Sequence, residues 1–140
     1  MKYLDTNVII YAIENESKYG KACKKILQDI EANKLEVSCS MLVLIEVLNV
    51  LTKINRILKE QEKEKLNIRK NIEAILSLPI KWLDINFVIL KRAADYEYKV
   101  SGIDYVHISS MEINSVTEII SADKELNKIE VIKRIDPLDY

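Results

Sequence analysis

Short apolar runs alternate along this chain with longer stretches whose apolar residues recur every three or four positions. Five runs read as β-strands: Lys2–Leu4, Leu35–Ser38, Ile80–Leu83, Thr117–Ser121 and Ile129–Lys133. Between them, Tyr19, Ala22, Ile26 and Ile30 form one helical stripe, Ile68, Ile72 and Ile75 a second, and Phe87, Leu90, Ala94 and Tyr98 a third. Val8-Ile9-Ile10 is β-branched enough to extend the first strand. Asp5-Thr6-Asn7 just before it supplies capping groups, so a helix is predicted to start there. Strands separated by helices imply crossover connections on a parallel sheet, an α/β fold. No repeat, low-complexity tract or linker interrupts residues 1–140, so a single domain is expected.

The stretch Met41–Ile54 is apolar around most of a helix, with Glu46, Asn49, Lys53 and Arg56 forming one narrow polar stripe. A helix of this kind needs more covering than its own sheet provides, which points to a second subunit or a partner protein. The chain then turns basic from Lys53 to Lys70, with Glu60, Glu62 and Glu64 interspersed. A solvated helical hairpin carrying intrahelical ion pairs is expected, and a phosphate-tracking surface is the alternative.

Composition narrows the class. The chain is 49% hydrophobic with two Gly and two Pro, which excludes disorder and loop-rich folds. Its formal charge of −1 provides no general attraction to nucleic acid. Cys23 and Cys39 match no zinc spacing or disulfide framework and read as cytosolic thiols. The Met41–Leu51 run is shorter than the roughly 20 residues of a membrane span and contains Glu46, so a soluble, cytoplasmic protein is expected.

Four acids carry the candidate chemistry. Asp5 and Asp123 each close an apolar run, Asp104 opens a helix, and Glu46 lies within the most hydrophobic stretch. Oxygen-rich sets of this kind hold Mg²⁺ or Mn²⁺, and if the four converge they define a metal-dependent phosphodiesterase. Two carboxylates about 4 Å apart repel by on the order of 4 kcal/mol at an effective dielectric near 20, so such a cluster calls for a cation. Asp84 and Asp136 also follow strands, so position alone proposes too many ligands. Asp is also a favoured helix N-cap, which accounts equally for Asp5, Asp104 and Asp123, whereas Glu46 in mid-helix caps nothing. A lone histidine, His107, excludes two-histidine ribonuclease chemistry. It lies one turn after Asp104, either supporting the acids or as a buried structural residue. Gly-rich phosphate loops and nucleophile elbows are absent.

Taken in order, Asp5-Thr6-Asn7 after the first strand, Glu46 after the second, Gly102-Ile103-Asp104, and Ser121-Ala122-Asp123-Lys124-Glu125-Leu126 after the fourth resemble the PIN-domain nucleases. The likeness is greatest to the small VapC-type toxins of toxin–antitoxin pairs. It implies a three-layer α/β/α sandwich around a parallel five-stranded sheet in the order 3-2-1-4-5. That order sets Asp5 beside Asp123 and leaves Asp84 and Asp136 to structural roles. It further implies catalytic Asp5, Glu46, Asp104 and Asp123, with Mg²⁺ or Mn²⁺ on Asp5, Asp104 and Asp123, and Thr6, Asn7 and Ser121 orienting them. The chain departs from the family in Tyr105-Val106-His107, bulkier than usual after the third acid, and in Ser121 where Thr is common.

The expected activity is endoribonucleolytic cleavage of RNA by a homodimeric toxin held in check by a cognate antitoxin. An RNA-processing nuclease without an antitoxin, and a non-catalytic module whose acids only cap helices, are the alternatives.

Overall fold

Lys2–Leu4 extends because alternation sends Tyr3 and Leu4 to opposite faces of a sheet, where both are fully buried. This strand, β1, is the central one of five in the computed structural model, which describes all of residues 1–140. It is flanked by β2 (Val37–Ser40) and β4 (Glu118–Ile120), with β3 (Lys81–Leu83) and β5 (Lys133–Ile135) at the edges. The order is β3-β2-β1-β4-β5 and every pairing is parallel.

Helices cover both faces. Leu4, Val37, Cys39 and Ile120 pack against α1 (Thr6–Glu14), α2 (Gly20–Glu31), α3 (Leu42–Glu60) and α4 (Ile68–Ser77) through Ile9, Ile26, Val47 and Ile75. On the other face Tyr3, Leu83 and Ile119 meet Ile108 and Met111 of α6 (Gly102–Ile113), with Leu126 and Ile129 closing the edge. Ile89 of α5 (Phe87–Ala93) is buried against α6, where its carbonyl accepts from the Ser109 hydroxyl at 2.6 Å. The result is the three-layer α/β/α sandwich with all strands parallel. Each fully buried Leu or Ile contributes about 1.5–3 kcal/mol relative to exposure. None of the helices is long and apolar enough to cross a membrane.

Local chemistry sets the helix starts. Asp5, extended at φ −78 and ψ 153, caps α1, so Val8-Ile9-Ile10 is helical as expected. Asn67 and Asn86 cap α4 and α5. At Gly20 an added Cβ would lie 2.7 Å from the Asn15 carbonyl carbon, so α2 approaches the end of α1 closely only because this residue is glycine. Gly20→Ala is expected to destabilise by about 1–3 kcal/mol, measured by urea denaturation, because the obstacle is backbone. An unchanged midpoint would show that the two helices separate freely.

Several sequence expectations need correction. β2 is Val37–Ser40 rather than Leu35–Ser38, because Ser38 and Ser40 are interior, fully buried residues and not the end of a run. β5 is Lys133–Ile135 rather than Ile129–Lys133. Ile129 and Ile132 instead insert into the core on either side of a turn, so pairing with β4 begins only where Lys133 N–H reaches the Thr117 carbonyl at 2.7 Å. The stripe Phe87, Leu90, Ala94, Tyr98 is not the buried one. α5 ends at Ala93 and packs through Ile89 and Ala93, leaving Phe87 85% exposed. The basic stretch does form a helical hairpin, its turn held by paired hydrogen bonds between Asn55 and the Leu66 backbone at 2.8 and 2.9 Å. The expected ion pairs with Glu60, Glu62 and Glu64 do not form, and the only pair made by a base of this stretch is Arg69 with Glu73 beyond it, at 3.0 Å.

Candidate active site

β1 and β4 are neighbours from which the chain departs in opposite directions, the switch point at which open parallel sheets bind ligands. Asp5 follows β1 and Asp123 follows β4, while α3 and α6 bring Glu46 and Asp104 to the same place. All four line one cavity of about 280 Å³, together with Thr6, Asn7, Ile10, Tyr11 and Val50. The lining includes no Lys or Arg.

Asp5 is the most heavily supported. Its Oδ1 accepts from Thr6 N–H at 2.7 Å, and its Oδ2 from the Ser121 hydroxyl at 2.6 Å and the Asn7 amide at 3.1 Å. Asn7 also donates to Ser121 Oγ at 3.0 Å and accepts from Ala122 N–H at 3.2 Å, so it ties the loop after β4 to the start of α1. Ser121 Oγ in turn accepts from Asp123 N–H at 3.0 Å. Burial pushes the Asp5 carboxyl above its usual range, Glu46 adding to the effect while His107, Ser121 and Thr6 oppose it.

Glu46 is held from two sides. Thr6 Oγ1 donates to its Oε1 at 2.8 Å, and His107 Nε2 reaches the same oxygen. Burial alone would raise this carboxyl, but the histidine and the threonine hydroxyl outweigh it and hold it below its ordinary value. Asp104 stands in the first turn of α6 and not at its cap. Ser101 is the N-cap, and Asp104 reciprocates by accepting from Ser101 N–H at 3.2 Å and Oγ at 3.0 Å. Asp123 accepts from Glu125 N–H at 3.0 Å at the start of a 3₁₀ turn.

The helix-end role of the three aspartates and their place in the cavity therefore coexist. Asp136 pairs with Arg134 at 3.3 Å at the sheet edge, and neither it nor Asp84 lines the cavity. Sequence reading left His107 undecided. The structure buries it and bonds Nδ1 to the Tyr3 hydroxyl at 2.6 Å, and the one-turn offset from Asp104 was the only signal available.

The donors facing the cavity are oxygens. The thiols are elsewhere and buried, with Cys23 pushed up to about 11 by burial and Cys39 higher still. That donor set fits a hard divalent cation rather than zinc or a redox metal. No three of these side chains stand close enough to form a ready-made metal site. The acids therefore line the cavity without closing into a preformed cluster.

Such an architecture, a parallel α/β/α sandwich with an acid-lined cavity at its switch point, defines a class before any comparison is made. The chain belongs to the PIN domain family, whose sequence model matches residues 2–132. That family is one of nucleases. No curated protein matches it in sequence. Solved structures with the same fold include a toxin–antitoxin complex from Klebsiella pneumoniae (18% identity, TM-score 0.64, 98% of both chains). Another is VapBC2 from Rickettsia felis bound to a DNA fragment from their promoter (17%, 0.69, 96% of this chain and 98% of the other). A third is FitAcB from Neisseria gonorrhoeae (15%, 0.59, 100% of both). At these identities the likeness is one of fold.

Proposed function

We propose that this chain is a single-domain, Mg²⁺- or Mn²⁺-dependent endoribonuclease, the cytoplasmic toxin of a VapBC-type pair. The observation that carries the reading is the cavity at the switch point, lined by four carboxylates and no basic side chain. Unneutralised, it would repel the phosphates of RNA. Family membership and the fold shared with toxin–antitoxin proteins support the same reading.

Asp5, Asp104 and Asp123 would hold one or two such cations, directly or through water the ions retain, and Thr6, Asn7 and Ser121 keep the acids oriented. When bound, the cation lowers the pKa of water and neutralises charge developing on the scissile phosphate. Glu46 orients the attacking water. The water oxygen bonds to phosphorus as the bond to the 3′ oxygen breaks, its proton passing to that oxygen, leaving a 5′-phosphate and a 3′-hydroxyl. Asp104→Asn is expected to abolish cleavage and weaken Mn²⁺ binding, followed by electron paramagnetic resonance, with the circular dichroism spectrum unchanged. Full activity in that variant would remove Asp104 from the mechanism.

The capping bonds of Asp5, Asp104 and Asp123 favour one competing reading, a non-catalytic module. It predicts no Mn²⁺ affinity in the wild type, so the same titration decides between them. An RNA-processing role without an antitoxin is separated by whether expression arrests growth only while the acids are intact.

α3 offers the surface for a second copy or the antitoxin. Ile45 and Leu48 stay 58% and 50% exposed on it, with Met41 and Ile103 nearby in the fold. Ile45→Asp is expected to convert a dimer to a monomer in light scattering without lowering the melting temperature. A dimer that persists places the interface elsewhere.

A further inference from the structure

Glu46 reaches the cavity from α3 with its two oxygens in different circumstances. Oε1 takes both the Thr6 hydroxyl and His107 Nε2, whereas Oε2 has no hydrogen-bond partner in the protein. His107 is itself buried and fixed at its far nitrogen by the Tyr3 hydroxyl at 2.6 Å. Its ring also stands edge-on to the Tyr3 ring, with centroids 5.7 Å apart and planes at 71°. The tyrosine is committed in turn, because Ser40 N–H donates to its oxygen at 3.0 Å.

In the neutral ring these bonds fix the direction of every proton. The Tyr3 oxygen is occupied as acceptor by a backbone N–H, so its own hydrogen goes to His107 Nδ1. Nδ1 is then the acceptor nitrogen of the neutral ring and Nε2 carries the hydrogen, aimed at Glu46. A protonated ring also carries hydrogen on Nε2, so the contact with Glu46 is the same in either charge state. The chain runs from Ser40 N–H to the Tyr3 hydroxyl, through His107, to Glu46 Oε1, with Thr6 completing that oxygen from the opposite side.

We propose that His107 is a positioning residue for Glu46. With Tyr3 behind it, His107 saturates Oε1 and leaves Oε2 as the single oxygen presented to the attacking water. Two segments distant in sequence from Glu46 thereby converge on its carboxylate: the β1–α1 junction through Thr6, and α6 through His107 with Tyr3 behind it. Supporting partners of this kind fix an acid's orientation, and their loss costs about 10–100-fold in metal affinity or activity. The proposal rests on the nuclease reading above.

His107 is the only histidine in the chain, so its imidazole nitrogens give an unambiguous ¹⁵N spectrum. Long-range ¹H–¹⁵N correlation on the wild-type protein is expected to show hydrogen on Nε2 in either charge state, with Nδ1 accepting when the ring is neutral. A ring with hydrogen only on Nδ1 overturns the proposal whatever the activity. The functional arm uses a labelled random-sequence RNA pool and Mn²⁺ on His107→Leu, His107→Gln and Tyr3→Phe.

We expect kcat to fall about 10–100-fold in His107→Leu with KM nearly unchanged. His107→Gln, which restores an N–H donor, should recover part of the loss, and Tyr3→Phe should fall severalfold. Cleavage within twofold of wild type in a folded His107→Leu overturns the positioning role. Should His107→Leu fail to fold, Tyr3→Phe, which removes a single hydroxyl, decides in its place: cleavage at the wild-type rate overturns the role and a severalfold loss supports it. A wild-type protein with hydrogen on Nε2 that neither binds Mn²⁺ nor cuts RNA overturns the nuclease reading and Glu46's task with it. The hydrogen-bond chain would then remain as structure alone.

Discussion

Asp5→Asn is expected to lower RNA cleavage by more than about 100-fold, beyond the loss typical of a merely supporting residue. The same variant should remain folded and, without metal, stay within about 2 kcal/mol of the wild type, because removing a buried charge offsets the bonds it loses. The physical reason lies in the carboxyl's surroundings. Burial holds it above its ordinary range, so its charged form is disfavoured in the folded state. A raised folded-state value means that stability is gained as pH falls through that value, and that at neutral pH the ionised group is a burden.

Asn removes the charge and caps α1 as well as Asp does, but loses the two bonds accepted at Oδ2, from the Ser121 hydroxyl and the Asn7 amide, about 1 kcal/mol each. The wild type, in contrast, should gain about 2.7 kcal/mol from Mn²⁺ at 100 times its dissociation constant. Thermal melts with and without Mn²⁺, at neutral and mildly acidic pH, check both halves. An Asp5→Asn protein stabilised by Mn²⁺ as much as the wild type would take Asp5 out of the metal set.

The largest loss of stability is expected from Leu51→Ala, at about 2–5 kcal/mol. Val43, Val47 and Leu51 are all fully buried at four-residue intervals and hold α3 to the sheet. Truncating the last of them leaves a cavity among neighbours that close only partly around it. For a domain of this size the melting temperature should fall by about 5–20 °C, measured calorimetrically. Glu46 is adjacent to Val47 on this helix, so the variant should also lose activity below its melting range although it touches no acid. A drop under about 1 kcal/mol would show that the site repacks.

How much was legible in the sequence differs from element to element. The strand–helix alternation and the capping signal at Asp5-Thr6-Asn7 are local, and the parallel sheet and the start of α1 followed from them. The strand order came from resemblance, since no local spacing encodes which strands pair. α5 misled because it carries two apolar faces, and periodicity does not say which one meets the sheet. The shift in β5 arose because Ile129 and Ile132 are core anchors spaced for a turn. The Ser101–Asp104 capping box is written in the sequence as Ser-x-x-Asp, but Asp104 is an equally good cap by residue type, so composition alone does not say which of the two caps α6. The bond from His107 to Glu46 spans 61 residues, and no pattern in one sequence reports a contact of that range.

The central position of β1 also has a consequence for synthesis. Among the strands of this sheet β1 is made first and waits longest for its second neighbour, because β2 follows soon but Ser121 comes to Asp5 from 116 residues downstream. Contacts of such separation form late in folding. A chain still being translated holds Asp5 and Glu46 without Asp104 or Asp123, so the four-acid cavity does not exist on the nascent polypeptide. On the nuclease reading, the domain is therefore synthesised without its site, which closes only once Asp123 has emerged.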